Sequence, residues 1–140
     1  MKNYENATYY VGLGKKPDDV KTGDLDYNQI EPVGFQSCTN SFVADGEKLP
    51  FVMPLTEVSL SEAADDENYM VLDFEVNSSD LITVNEDEKE EVNLVLVFRK
   101  FNDIDEIECI GLFTPDEALV IDRNEDITFP ISVDISKEDL

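Results

Sequence analysis

Histidine and tryptophan are both missing from this chain of 140 residues. The first absence is the more restrictive. Ser–His and Cys–His nucleophile pairs need an imidazole to take a proton, and histidine metal triads need it as a ligand, so all three are excluded. The missing indole removes the platform on which carbohydrate-binding β-modules often stack their sugars. Positive charge is also scarce: 10 Lys and Arg stand against 33 Asp and Glu, a formal net charge of -23. A field of that sign repels nucleic-acid backbones and anionic lipid surfaces, so neither direct nucleic-acid binding nor membrane binding is expected. It favours solubility and a basic partner surface. Its self-repulsion predicts a domain that is firmer with added cations.

Cysteine is nearly absent. Cys38 and Cys109 lie far apart and form no CxxC pair. They could meet in space, but two buried free thiols are expected, because Cys109 falls inside an apolar strand pattern where it acts as a small hydrophobe. No N-terminal run is apolar and long enough for a signal peptide, and nothing approaches a membrane span, which predicts a protein made in a reducing cytoplasm. The sequons Asn6-Ala7-Thr8 and Asn77-Ser78-Ser79 are discounted on the same ground.

What is present is a core. Hydrophobic residues make up 41% of the chain, enough for one packed domain over residues 1–140 that needs no disulfide or metal, with a mobile N-terminal segment over residues 1–10. The second half carries the clearest pattern. Met70, Leu72, Phe74 and Val76 alternate with Asp73 and Glu75, the period of a half-buried strand. Val92–Phe101 is almost continuously apolar and suits a central strand covered on both faces. Ile127, Phe129, Ile131, Val133 and Ile135 share one face, and Pro130 assigns that strand to an edge or bulge. Ile107–Phe113 and Ala118–Ile121 complete the set, with Leu81–Val84 as a short strand and Asn85–Glu91 as an acidic loop.

The first half is weaker. Tyr9-Tyr10-Val11 reads as a strand ending at Gly12 and Gly14, Lys15–Asn28 as loop, and Pro32–Val43 as a second strand region. Pro50 and Pro54 make Leu49–Leu60 an extended edge segment rather than a central strand. Ser61–Glu67 is the only helix-compatible run, one or two turns at most. Turns between short strands at this spacing indicate an all-β, mainly antiparallel β-sandwich.

Motifs of chemistry are thin. Carboxylate pairs abound, but general acid–base work also needs a pocket that separates their pKa values. Gly12-Leu13-Gly14-Lys15-Lys16 lacks the spacing and the Ser/Thr of a phosphate loop and reads as a strand-ending turn. Asp24-x-Asp26-x-Asn28 and Asp122-x-Asn124-x-Asp126 copy the opening of a calcium loop, but Gln29 and Ile127 replace its glycine, and Phe35 and Val133 its closing glutamate. Both read as solvated turns, and no metal or cofactor is expected. Asp65-Asp66-Glu67, Glu86–Glu91 and Asp103–Glu108 could imitate spaced phosphates, as small phage-encoded inhibitors of restriction, CRISPR or repair enzymes do; solvated loops are the plainer reading.

The segments Glu106-Ile107-Glu108-Cys109-Ile110-Gly111-Leu112-Phe113, Glu117-Ala118-Leu119-Val120 and Asp126–Ile135 together resemble a module of bacteriophage tail and baseplate proteins. There an "E-x-G-L-F/Y" strand precedes an aliphatic strand and a final "D-x-x-hydrophobic" strand. The opening Tyr9–Asp19, YYVGLGKKPDD, is similar to the aromatic first strand, "GxG" and Lys-Pro-Asp loop of some baseplate components. The likeness covers about a third of the chain. Cys109-Ile110 stands where one residue is usual, and the tryptophan common after the first loop is absent. The resemblance implies a non-enzymatic virion protein, a tail, baseplate or capsid accessory component, found in the host cytoplasm during assembly and then in the particle. Its implied partners are other virion proteins or copies of itself, met through basic or apolar surfaces. Tyr4, Tyr9 and Tyr10 are the candidate contact residues, since aromatics are enriched at interfaces; Tyr9 packing into the domain's own core is the competing reading. An acidic DNA-mimic inhibitor of a host nucleic-acid enzyme is the alternative function.

Overall fold

The computed structural model describes residues 6–45, 50–82, 88–115 and 117–139. Its strands are β1 (Ala7–Lys15), β2 (Glu31–Val33), β3 (Asn40–Asp45), β4 (Pro50–Glu62), β5 (Tyr69–Asn77), β6 (Lys89–Val92), β7 (Leu94–Phe101), β8 (Ile107–Phe113), β9 (Leu119–Asp122) and β10 (Thr128–Ser136). Among the described residues, three-residue 3-10 turns lie between strands at Thr22–Asp24, Tyr27–Gln29 and Ser78–Asp80, and one follows β10 at Lys137–Asp139. The chain is all-β and its paired strands are antiparallel, as the sequence predicts. One curled sheet runs β10-β5-β4-β1-β7-β8, with β2 joined to β1 and β3 to β4, and β6 pairs with β9 separately.

Period-two alternation explains how one sheet serves two cores. The odd residues of β1 and β7 (Tyr9, Val11, Leu13; Val95, Val97) join Met70, Leu72, Val76, Ile131, Val133 and Ile135 in the larger cluster, enclosed by the curl. Val92 and Ile121 bring β6 and β9 onto that cluster. The even residues (Tyr10; Leu94, Leu96, Phe98) face a second cluster with Met53, Leu55 and Ile30. β7 is therefore buried on both faces, as its unbroken apolar run requires. β5 and β10 bury one face and expose Asp73, Glu75 and Asp134 on the other. Pro130 lies on the terminal strand β10, opposite Glu75, which is the edge position its missing N–H predicts.

Several elements differ from expectation, each for a physical reason. β1 does not stop at its glycines. It runs through Gly12 and Gly14 to Lys15, because Gly12 must leave room for Met53 and Gly14 for the Glu31 carbonyl and Ile30. A Cβ on Gly12 would lie 2.6 Å from Met53 Cγ. Residues 7–10, assigned to a mobile N-terminal segment, are the paired start of this central strand. β4 is a 13-residue strand despite Pro50 and Pro54. Its prolines fall in the half that pairs with β3, whereas its register with β1 covers Thr56–Val58. Their missing N–H groups thus point where no ladder bond is needed. The helix-compatible run 61–67 is the end of β4 and a turn, in which Asn68 N–H donates to Asp66 Oδ1 at 2.9 Å. Within the expected acidic loop, Lys89–Val92 is β6, because Glu90 and Val92 point inward. Val84 and the start of that loop lie outside the described residues. The second strand region is two strands, β2 and β3, separated by a bend over residues 34–39.

Candidate interaction groove

The residues singled out by sequence separate widely. Tyr4 lies outside the described residues. Tyr9 and Tyr10 are neighbours in β1 and so point to opposite faces. Tyr9 is 3% exposed in the larger core and Tyr10 is 8% exposed in the second. Cys38 packs against the larger core and Cys109 against the second; both are free thiols, partly buried, and the sheet stands between them. Cys38 Sγ lies 3.3 Å from Thr56 Oγ1.

The lysines of the phosphate-loop-like stretch are held internally. Lys15 Nζ is 3.6 Å from the buried Glu90 carboxylate and 4.0 Å from Glu31. Lys16 Nζ donates to the carbonyls of Pro17 at 3.2 Å and Val20 at 2.7 Å. The calcium-like stretches close on themselves. Asp26 N–H donates to Gln29 Oε1 at 2.9 Å. Asp122 Oδ1 accepts from Asn124 N–H at 2.9 Å, and Asp122 Oδ2 lies 3.9 Å from Lys89 Nζ. Among the described residues, no three acidic or thiol side chains converge as a metal site.

One place does gather several of these features. A groove of about 670 Å³ opens between β3 and the turn that joins β7 to β8. Asn40, Ser41, Phe42 and Val43 line one wall, Lys100, Asp105, Glu106 and Ile107 the other, and Tyr10 contributes from β1. Phe42 is held by its neighbours: its ring centroid is 4.8 Å from Phe98 and 5.5 Å from Tyr27, and Tyr27 stacks on Phe51 at 5.3 Å. Such pairs add about 0.5–1.5 kcal/mol each beyond burial, so this wall is stiff. Below it, Tyr27 and Cys109 lie close enough to act on each other's ionisation, and the Cys109 thiol donates to the Gly111 carbonyl at 3.7 Å. Burial pushes both groups above their ordinary values, and for Cys109 a backbone hydrogen bond at Gly111 and the neighbouring Tyr27 only partly offset this.

The opposite wall is acidic and wet. Asp103, Asp105 and Glu106 are exposed, and Lys100 Nζ reaches Asp105 at 3.8 Å. Arg99 is engaged elsewhere: its Nε donates to Glu108 at 3.0 Å, and its guanidinium lies 4.5 Å above the Phe101 ring.

The β3 wall is an open strand edge. Among the described residues β3 pairs with β4 alone, in unbroken register from Asn40↔Leu55 to Asp45↔Pro50. Proline cannot exchange hydrogen bonds with a partner residue, so Ser41↔Pro54 and Asp45↔Pro50 are non-hydrogen-bonded pairs, and Val43↔Val52 shares their parity. The N–H and C=O of Ser41 and Val43 therefore point away from β4, along the groove. Val43 is 56% exposed and its cross-strand partner Val52 47%, an apolar pair on the outer face of this ribbon.

Sequence reasoning named Tyr10 and the acidic run 103–108 and read a strand region over Pro32–Val43, but did not find that β3 is an edge. The available signal was the lack of proline and lysine in Asn40–Asp45, the residues that usually blunt an edge. That signal has meaning only once β3 is known to be an edge. No protein-family model, no curated protein and no solved structure matches this chain.

Proposed function

We propose that this chain is a non-enzymatic structural or assembly protein of a bacteriophage particle, making protein–protein contacts within an oligomer or larger assembly. The observation that carries the contact role is the groove, where a lightly guarded strand edge, a stiff aromatic wall and an acidic rim meet. The phage setting is supported by the likeness of Tyr9–Asp19, Glu106–Phe113, Glu117–Val120 and Asp126–Ile135 to tail and baseplate modules. Under this reading the protein is in the host cytoplasm during assembly and in the virion afterwards. Mass spectrometry of mature particles purified from the source tests it: stoichiometric presence supports the reading, and particles without the chain overturn it.

A second reading is favoured by charge. The outward face of β5 and β10 displays Asp73, Glu75 and Asp134 on a molecule of net charge -23. Such a face suits an inhibitor that occupies the basic groove of a host nucleic-acid enzyme. A pull-down washed at low and high salt separates the two. A charge-only complex dissolves steeply as the Debye length shrinks from about 10 Å at 0.1 M to about 3 Å at 1 M, while a contact with an apolar centre survives.

A further inference from the structure

We propose that the open edge of β3 receives an extended, lysine- or arginine-bearing segment of another protein as an added strand lying in the groove. This rests on the assembly role proposed above and gives it a mode of recognition. Three observations converge on it. The outward N–H and C=O groups of Ser41 and Val43 form a template for main-chain hydrogen bonds. β3 is lightly guarded: Asn40-Ser41-Phe42-Val43-Ala44-Asp45 has no proline or lysine, its one charge is the terminal Asp45, and its register is free of bulges. The edge strand β10, by contrast, carries Pro130.

The occupant follows from charge. Side chains of an added strand alternate between the two faces of the ribbon. One set would lie beside Val43 and Val52, the exposed apolar pair. The other would face Asp105 and Glu106 across the groove. The complementary segment thus alternates apolar and basic residues. A second copy pairing through its own β3 is the poor fit, because two molecules each of charge -23 repel and Asn40–Asp45 holds no lysine or arginine to set against the acidic wall.

The test uses the full chain and a capped eight-residue peptide of alternating valine and lysine, followed by fluorescence anisotropy and amide hydrogen exchange. Binding is expected, with slower exchange at Ser41 and Val43. The same peptide with glutamate in place of lysine, or with alternate amides N-methylated, is expected to bind at least tenfold more weakly. Val43→Pro removes one outward N–H without touching a β3–β4 bond and is expected to weaken binding at least tenfold. Val43→Lys, a solvent-facing change that leaves the backbone intact, carries the same expectation if Val43→Pro perturbs folding. Unchanged exchange at Ser41 and Val43, or undiminished binding to Val43→Lys, overturns the proposal in favour of diffuse charge attraction. Equal binding of the glutamate peptide overturns the basic occupant. Self-association abolished by Val43→Lys overturns it in favour of a second copy. Failure here with the chain present in particles leaves the assembly role standing, whereas peptide binding by a chain absent from particles removes the phage role alone.

Discussion

At Gly12 a Cβ would sit 2.6 Å from Met53 Cγ and 2.8 Å from its Sδ, atoms close to the backbone of a side chain with no exposed surface. Overpacking of this kind costs about 1–3 kcal/mol. Gly12→Ala is therefore expected to lower the urea midpoint, while Gly23→Ala, with nothing within 4 Å of its Cβ position, is expected to be neutral or to stabilise by about 0.4–1 kcal/mol. Cys109 and Tyr27 are expected to weaken the fold at alkaline pH. Each is held above its ordinary value, near 9 for the thiol and 10 for the phenol, chiefly by burial. The unfolded chain thus releases these protons first. Their stabilising contribution is complete below pH about 9, where neither state is ionised, and is lost as pH rises towards and through the folded values. Cys109→Ala should flatten the decline of stability between pH 8 and 10 as followed by chemical denaturation at each pH. An unchanged slope would mean that other groups dominate.

Elements were legible where one periodicity decided them. The alternation of Met70, Leu72, Phe74 and Val76 gives β5 its buried face, and the apolar run of β7 needs two covers, which the two cores provide. Leu96, fully buried, is expected to lose about 2–5 kcal/mol on substitution by alanine, against less than about 0.5 kcal/mol for Val52→Thr on the exposed face; paired denaturation curves check both. Local rules misled where a long-range neighbour decided. Glycine in β1 signals a stop by propensity, but here it admits Met53 from a strand some forty residues later. Proline in β4 argues against a long strand, yet the partial register with β1 leaves the proline nitrogens where no donor is required. The groove was legible only in parts. Tyr10 and the acids 103–108 stand out in sequence, while the β3 wall facing them is created by folding.

Across the whole molecule, the excess of 33 acidic over 10 basic residues sets the response to salt. In ion pairs such as Lys137–Glu62 and Lys100–Asp105 the carboxylate is exposed to water, so these pairs add little. General repulsion outweighs them, so the melting temperature is expected to rise as sodium chloride goes from about 10 mM to about 150 mM, shortening the Debye length from about 30 Å to about 8 Å. A fall on a calorimetric scan would show that the pairs outweigh the repulsion. By itself the sequence determined the class: alternation and turn spacing demand strands, and the absence of histidine removes the imidazole chemistries. Only the tertiary structure decided that one sheet curls around one core and backs another, that Tyr9 and Tyr10 part to opposite faces, and that β3 is left as an open edge beside an acidic wall. Strand type is encoded within a few neighbouring residues, whereas an edge exists only by virtue of which distant strands fail to pair with it.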